Sequence, residues 1–180
     1  MRDGRRRWSS AVLVAMLWAL APDSAGSAGQ PSSGALPGPA ATPNAVLSLG
    51  GSVKQPQRVD GDALRQLPAE SVQVSFQTER GPLTASFTGV RLWALLDQAG
   101  GIDDAEKGAA LHHLVRITGQ DGYWIVMSTG EIAPAFGAEP AMIAYQRDGA
   151  PLGGTGFRLV IPGDKHGGRS VRDVTAITIE

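Results

Sequence analysis

The segment Phe157–Glu180 reads FRLVIPGDKHGGRSVRDVTAITIE, two apolar runs around a polar loop. Lys165, His166, Gly167, Gly168, Arg169, Ser170 and Arg172 all fall within that loop. These residue types can hold an anion. Glycines let backbone N–H groups turn toward a negative ligand, and a guanidinium forks onto two oxygens of a phosphate. Gly168, Arg169 and Ser170 are the expected centre of such a site. His166 would assist when protonated, and Arg172 would add charge from the start of the next strand. The same segment fits a glycine-rich hairpin loop with solvated cations, and spacing alone leaves both readings open. An anion nest predicts that Arg169→Ala loses a charge-assisted contact worth ~1.5–3 kcal/mol to bound phosphate; a solvated hairpin predicts no change.

The other chemistry-bearing residues form no constellation. His112 and His113 are consecutive in LHHLVRIT, and consecutive side chains on a strand point to opposite faces, so they do not chelate one ion together. Each is expected to be an ordinary hydrogen-bonded histidine. No Ser/His/Asp arrangement, nucleotide-binding glycine signature or zinc-ligand spacing is present, and the carboxylates are scattered. The chain has no cysteine, which removes disulfides, thiolate nucleophiles and cysteine metal ligands. A formal charge of −1 with 18% charged residues gives no reason to expect nucleic-acid binding, so the cationic loop is a local feature.

The N-terminal residues are organised differently. MRDGRRRWSS is basic, Ala11–Ala21 is apolar, and PDSAGSAG supplies small residues. That order predicts a secretory signal peptide over residues 1–28, and so a periplasmic or secreted protein without a stable membrane anchor. Arg5-Arg6-Arg7-Trp8 is compatible with general secretion and with the twin-arginine route for folded cargo. Residues 29–44, GQPSSGALPGPAATPN, are uncharged and rich in Pro, Gly, Ser and Ala, which predicts a disordered or extended linker. The folded domain is expected over 45–180, enough chain for a core without disulfides.

The elements that must position the loop are mostly strands. VLSLGGSV (46–53) reads as a strand interrupted by glycine, and Asp60 as the cap of a short helix that Pro68 stops. In SVQVSFQT (71–78), Val72, Val74 and Phe76 alternate with Gln73, Ser75 and Gln77, the pattern of a half-buried strand, and Gly81-Pro82 turns it into LTASF. Leu92, Leu95, Leu96 and Ala99 mark one face of a helix beginning near Arg91 and stopped by Gly100. LHHLVRIT (111–118) and YWIVMS (123–128) form an expected hairpin across GQDG, and AMIAYQ with RDGAPL another across Asp148-Gly149. FRLVI and VTAITI complete the strands.

The succession FTGVRLWALLDQAG, DGYWIVMS, AMIAYQRDGAPL and FRLVIPGDKHGGRSVRDVTAITIE resembles the sulfite-oxidase-type molybdopterin-binding domain from about Ala45 to Glu180, closest in form to small exported stand-alone members. The resemblance implies an α+β fold, mainly β, with mixed sheets and a few short helices. It implies that the loop lies against the organic part of a molybdopterin (Mo) cofactor, with His166, Gly168, Arg169, Ser170 and Arg172 as binding residues. It places Tyr123, in the DGY segment, where a hydroxyl can face the site, the one candidate for a catalytic role. Catalytic members also hold molybdenum through a cysteine thiolate. Counted from the TGV motif, that position falls near Gln77 or Thr78, and no sulfur is there. A soft metal loses its soft protein ligand, so no metal-binding residue is assigned. Two functions follow. One is an exported molybdopterin-binding oxidoreductase with an unknown substrate and redox partner. The other is a non-catalytic module that binds an anionic small molecule or another protein and keeps the fold without molybdenum.

Overall fold

In the computed structural model, residues 45–180 are described; the expected signal peptide and linker lie outside them. The strands are β1 (Val46–Gly51), β2 (Gln57–Asp60), β3 (Ala69–Thr78), β4 (Gly81–Arg91), β5 (Leu114–Gly119), β6 (Trp124–Ser128), β7 (Met142–Arg147), β8 (Ala150–Pro151), β9 (Arg158–Val160) and β10 (Val174–Ile179). Three short helices join them: α1 (Gly61–Arg65), α2 (Leu92–Gln98) and α3 (Thr129–Ile132). One five-stranded sheet has the order β2-β1-β10-β5-β6. The other runs β3-β4-β7-β8, with β9 also paired to β7. β1 and β10 are parallel while their outer neighbours are antiparallel, so the first sheet is mixed. This is the expected α+β, mainly β architecture.

Local chemistry explains the elements nearest the site. β3 and β4 pair without interruption from Ala69↔Val90 to Thr78↔Gly81. Their solvent face carries hydroxyl pairs, Ser71–Thr88 at 2.8 Å and Ser75–Thr84 at 3.0 Å, while Val74, Phe76, Ala85 and Phe87 are buried on the other. The β7–β8 turn has Asp148 at φ 51° and Gly149 at φ 79°, the primed-turn geometry that Asp-Gly favours, and Asp148 Oδ1 accepts the Ser86 N–H at 2.9 Å. Asp60 caps α1 through the amides of Asp62 and Ala63.

α2 ends at Gln98 with Ala99 as its cap, and Gly100 follows with a φ of 77° that few other residues tolerate. Leu92, Leu95, Leu96 and Ala99 are fully buried in a core shared with Leu47 and Leu49 of β1, Val115 and Ile117 of β5, Ile143 of β7, Leu159 of β9 and Ile177 of β10. Leu95→Ala should therefore cost about 2–5 kcal/mol, measured by denaturant unfolding. A change within error would mean that this face does not pack as described.

The structure departs from the sequence expectations in four places. The first strand ends at Gly51, and Val53 makes only an isolated bridge to Ile102. β4 continues through TGV to Arg91, well past LTASF, because β7 pairs along its far side. The strand expected from Leu111 begins at Leu114: Ala109–Leu111 is a single 3-10 turn ending at His112. Consecutive-strand geometry therefore does not apply to His112 and His113. Finally, FRLVI and VTAITI are not partners in one sheet. β9 joins β7, whereas β10 lies between β1 and β5. The arms stay together only briefly, through Leu159 N–H to Val171 O at 2.9 Å, Val174 N–H to Phe157 O at 3.1 Å, and an Arg158↔Arg172 bridge. Residues 161–173 thus bridge the two sheets.

A second apolar cluster lies on the opposite face of the second sheet: Val74, Phe76, Ala85, Phe87, Met142, Ala144 and Val160. Leu159 belongs to the main core and Val160 to this cluster. Period-two alternation along β9 therefore sends Arg158 to the Phe76 and Phe87 side.

Candidate anion-binding site

The loop docks on the end of β3. Gln77 N–H donates to the Lys165 carbonyl at 2.9 Å, and Gln77 and His166 form a parallel bridge. Gly167 follows at the point of closest approach: a Cβ there would come within 2.9 Å of Phe76 Cε2. The position at which the resemblance calls for a thiolate and the glycine loop are therefore in direct contact.

Inside the loop, several groups that the sequence offers to a ligand are already engaged. Gly167–Arg169 is a 3-10 turn, and neither Gly167 nor Gly168 has a positive φ, so the loop lacks the alternating-hand backbone of an anion nest. The Gly168 carbonyl accepts the Tyr123 hydroxyl at 2.6 Å, which makes Tyr123, half-exposed on its other side, a strut for the loop. Arg169 grips Asp164 with both arms of its fork, Nε to Oδ2 at 3.1 Å and Nη2 to Oδ1. Asp164 first, and then the charges of Glu139 and Glu131, hold its guanidinium above its ordinary value. An incoming phosphate would have to compete with three carboxylates there. The Ser170 hydroxyl donates to Leu159 O at 2.9 Å and accepts from Arg158 Nε at 2.8 Å. His166 and Arg172 are exposed, and neither side chain has a hydrogen bond or ion pair among the described residues.

Arg158 has the opposite surroundings. Its guanidinium carbon stands 5.4 Å from the Phe87 ring centre and 6.0 Å from that of Phe76. Among the described residues its only hydrogen bond goes to the neutral Ser170, and it has no ion pair. Burial, and then the nearby charges of Arg172 and Arg147, push it down to about 10, with Asp173 acting weakly the other way. It stays cationic at neutral pH. A half-buried cation with like-charged neighbours and no carboxylate partner is costly unless an anion completes it. Arg158, flanked by Arg172, is therefore the strongest candidate anion receptor around the loop. Sequence reading passed over it because a single arginine in FRLVI looks like part of an apolar strand. The signal was there: a charge at the position whose alternation partner, Val160, is buried.

Of the two neighbouring histidines, His113 serves the fold, while His112 is exposed and makes no side-chain hydrogen bond among the described residues. His113 bridges Glu180 O through Nδ1 and Asp104 Oδ2 through Nε2, both at 3.0 Å. The Glu106 N–H, and then His113, hold the Asp104 carboxyl below its ordinary value of 3.8. A depressed folded value means stabilisation that is complete above about pH 4 and lost as pH falls through that lower value. Wild-type stability should thus fall more steeply than that of Asp104→Asn below about pH 4, read from urea midpoints. Parallel curves would remove Asp104 from the acid response.

Fold and site together define a strand-rich α+β domain in which two arginines, Arg158 and Arg172, stand beside the loop that bridges its two sheets. Its sequence matches the family described as the oxidoreductase molybdopterin binding domain over residues 35–180, and the chain belongs to that family. Among solved structures, the sulfane dehydrogenase SoxCD from Paracoccus pantotrophus is similar in fold, with a TM-score of 0.61 and 19% sequence identity over 74% of this chain. The match covers only 37% of that protein's chain. No curated protein matches.

The residues fit one end of the family's cofactor. Arg158 and Arg172 supply the guanidinium donors that a phosphate needs. The metal end finds no protein ligand of the expected kind. The chain has no cysteine, Gln77 offers an exposed amide, and the Thr78 hydroxyl is spent on Gly81 O at 2.8 Å. Among the described residues no group of three or more His, Asp or Glu side chains is placed to hold a metal ion.

Proposed function

We propose that the chain is an exported binding member of this family, which holds a phosphate-bearing ligand of the molybdopterin class and does not itself perform thiolate-dependent molybdenum chemistry. The observation that carries this reading is Arg158, half-buried, cationic and without a carboxylate partner. Arg172 stands beside it as a second, exposed guanidinium. The loop, held by Tyr123 and by the Asp164–Arg169 pair, forms the wall against which the ligand lies.

The test is chemical. The full chain is produced with its own leader in a host that makes the cofactor, recovered from the exported fraction, and denatured. Pterin fluorescence of the released material is then measured. Wild type should release pterin and Arg158→Ala little; wild type that releases none would contradict the ligand class.

Export rests on the basic-apolar-small order of residues 1–28. Among the described residues no helix is long and apolar enough to cross a membrane. N-terminal sequencing of the exported protein should begin close to Gly29, and recovery of intact Met1 in a membrane fraction would contradict cleavage.

The redox-enzyme reading is supported by the family match, whose description is of an oxidoreductase domain, and by one structural observation. The Gln77 position does lie against the loop, so a ligand there would bring its reactive end near β3. Turnover of any sulfur or nitrogen oxide by pterin-loaded wild type would favour it.

A further inference from the structure

We infer that the ligand is held by its anionic end alone and exchanges with solution, so that the chain carries it and does not keep it as a resident metal centre. This rests on the reading above and concerns what the site lacks at the other end. Around the loop, several donors able to fix a ligand are already spent within the protein: Arg169 on Asp164, the Ser170 hydroxyl on Leu159 O while it accepts from Arg158, and Tyr123 on Gly168 O. At the contact between β3 and the loop, Gln77 presents an amide and Thr78 turns its hydroxyl to Gly81 O, while Arg80 N–H donates to that same hydroxyl at 3.2 Å. Neither is a soft ligand. What remains is Arg158, only half-buried, with Arg172, His166 and Lys165, all exposed to water.

Attraction through guanidinium groups that water reaches weakens as salt screens it; a metal–thiolate bond does not weaken in that way. The missing sulfur therefore changes the kind of binding as well as its strength. Ligand capture becomes reversible and sensitive to ionic strength, which suits handing the ligand to another protein and does not suit repeated turnover on a fixed metal.

The experiment uses the full chain, loaded in a cofactor-producing host and compared with Thr78→Cys loaded in the same way, because alternation along β3 puts position 78 on the Phe76 face that Arg158 shares and Gln77 on the other. Both are dialysed at about 0.1 M and then about 1 M salt, where the screening length falls from ~10 to ~3 Å. Pterin fluorescence and molybdenum are measured on the protein after each step. Wild type should lose both together at high salt, by roughly tenfold or more. Thr78→Cys should keep them. Equal retention by the two proteins, at either extreme, would overturn the inference and leave the Arg158 reading standing. Wild type that carries no pterin even at low salt would instead sink the proposed function itself.

Discussion

Arg158→Ala should weaken the binding of inorganic phosphate by roughly thirtyfold or more, the equivalent of about 2 kcal/mol upward. The size follows from where the charge sits. Arg158 lies over Phe76 and Phe87, so a phosphate meeting it there is poorly screened, and Arg172 alone, out in solvent, replaces little of what is lost. Arg169→Ala should leave phosphate affinity within about threefold, because its guanidinium is already matched by Asp164. That pairing reverses the ranking that the loop's composition suggests. Arg158→Lys keeps the charge and the apolar stem but loses the planar fork, so it should recover only part of the affinity. Titration calorimetry on the three variants, each checked for an unchanged thermal midpoint, reads the ranking directly. A pH series adds an independent check. With Arg158 pushed down to about 10, phosphate affinity should decline as pH rises through that value. Affinity unchanged to pH 11, about where an ordinary arginine is still fully charged, would count against Arg158 as the receptor.

Gly89→Ala should be among the most damaging single methyls in the fold, costing more than about 3 kcal/mol and in practice preventing recovery of folded protein. Gly89 is the glycine of the TGV motif. It sits in β4 where the register to β7 shifts, opposite Ala144. A Cβ there would lie 2.3 Å from Ile143 O, 2.5 Å from Ala144 Cα and 2.7 Å from Ile143 C, all backbone atoms that cannot rotate away. Its neighbours are not exchangeable for a smaller set, since β7 also carries β9 and hence Arg158. Expression yield and denaturant unfolding measure this. A variant folded as stably as wild type would mean that β4 and β7 do not approach so closely.

The legible parts of this fold are those set by local chemistry. The alternation of Val72, Val74 and Phe76 reports β3, the Leu92/Leu95/Leu96/Ala99 spacing reports α2, and Asp148-Gly149 reports its turn, because each depends on a few adjacent residues. The loop was also visible, since glycines and cations cluster there whatever the tertiary structure. What it does with its charges was not. Arg169 is balanced by Asp164, only five positions earlier, together with Glu131 and Glu139 from a distant segment. Arg158 owes its character to β7 on one side and Arg172 on the other, contacts that no window of sequence contains. The divergence of β9 and β10 into different sheets is equally non-local, because both runs are simply apolar and β-branched. His112 and His113 illustrate the smaller error, a strand start placed three residues early, where a 3-10 turn intervenes.

A structure of the chain determined in phosphate tests the central claim most directly. Phosphate oxygens should lie about 2.7–2.9 Å from the terminal nitrogens of Arg158, with Arg172 turned toward them and the Asp164–Arg169 pair intact. Phosphate seated instead on Gly168 and Arg169, with Asp164 displaced and nothing at Arg158, would contradict it.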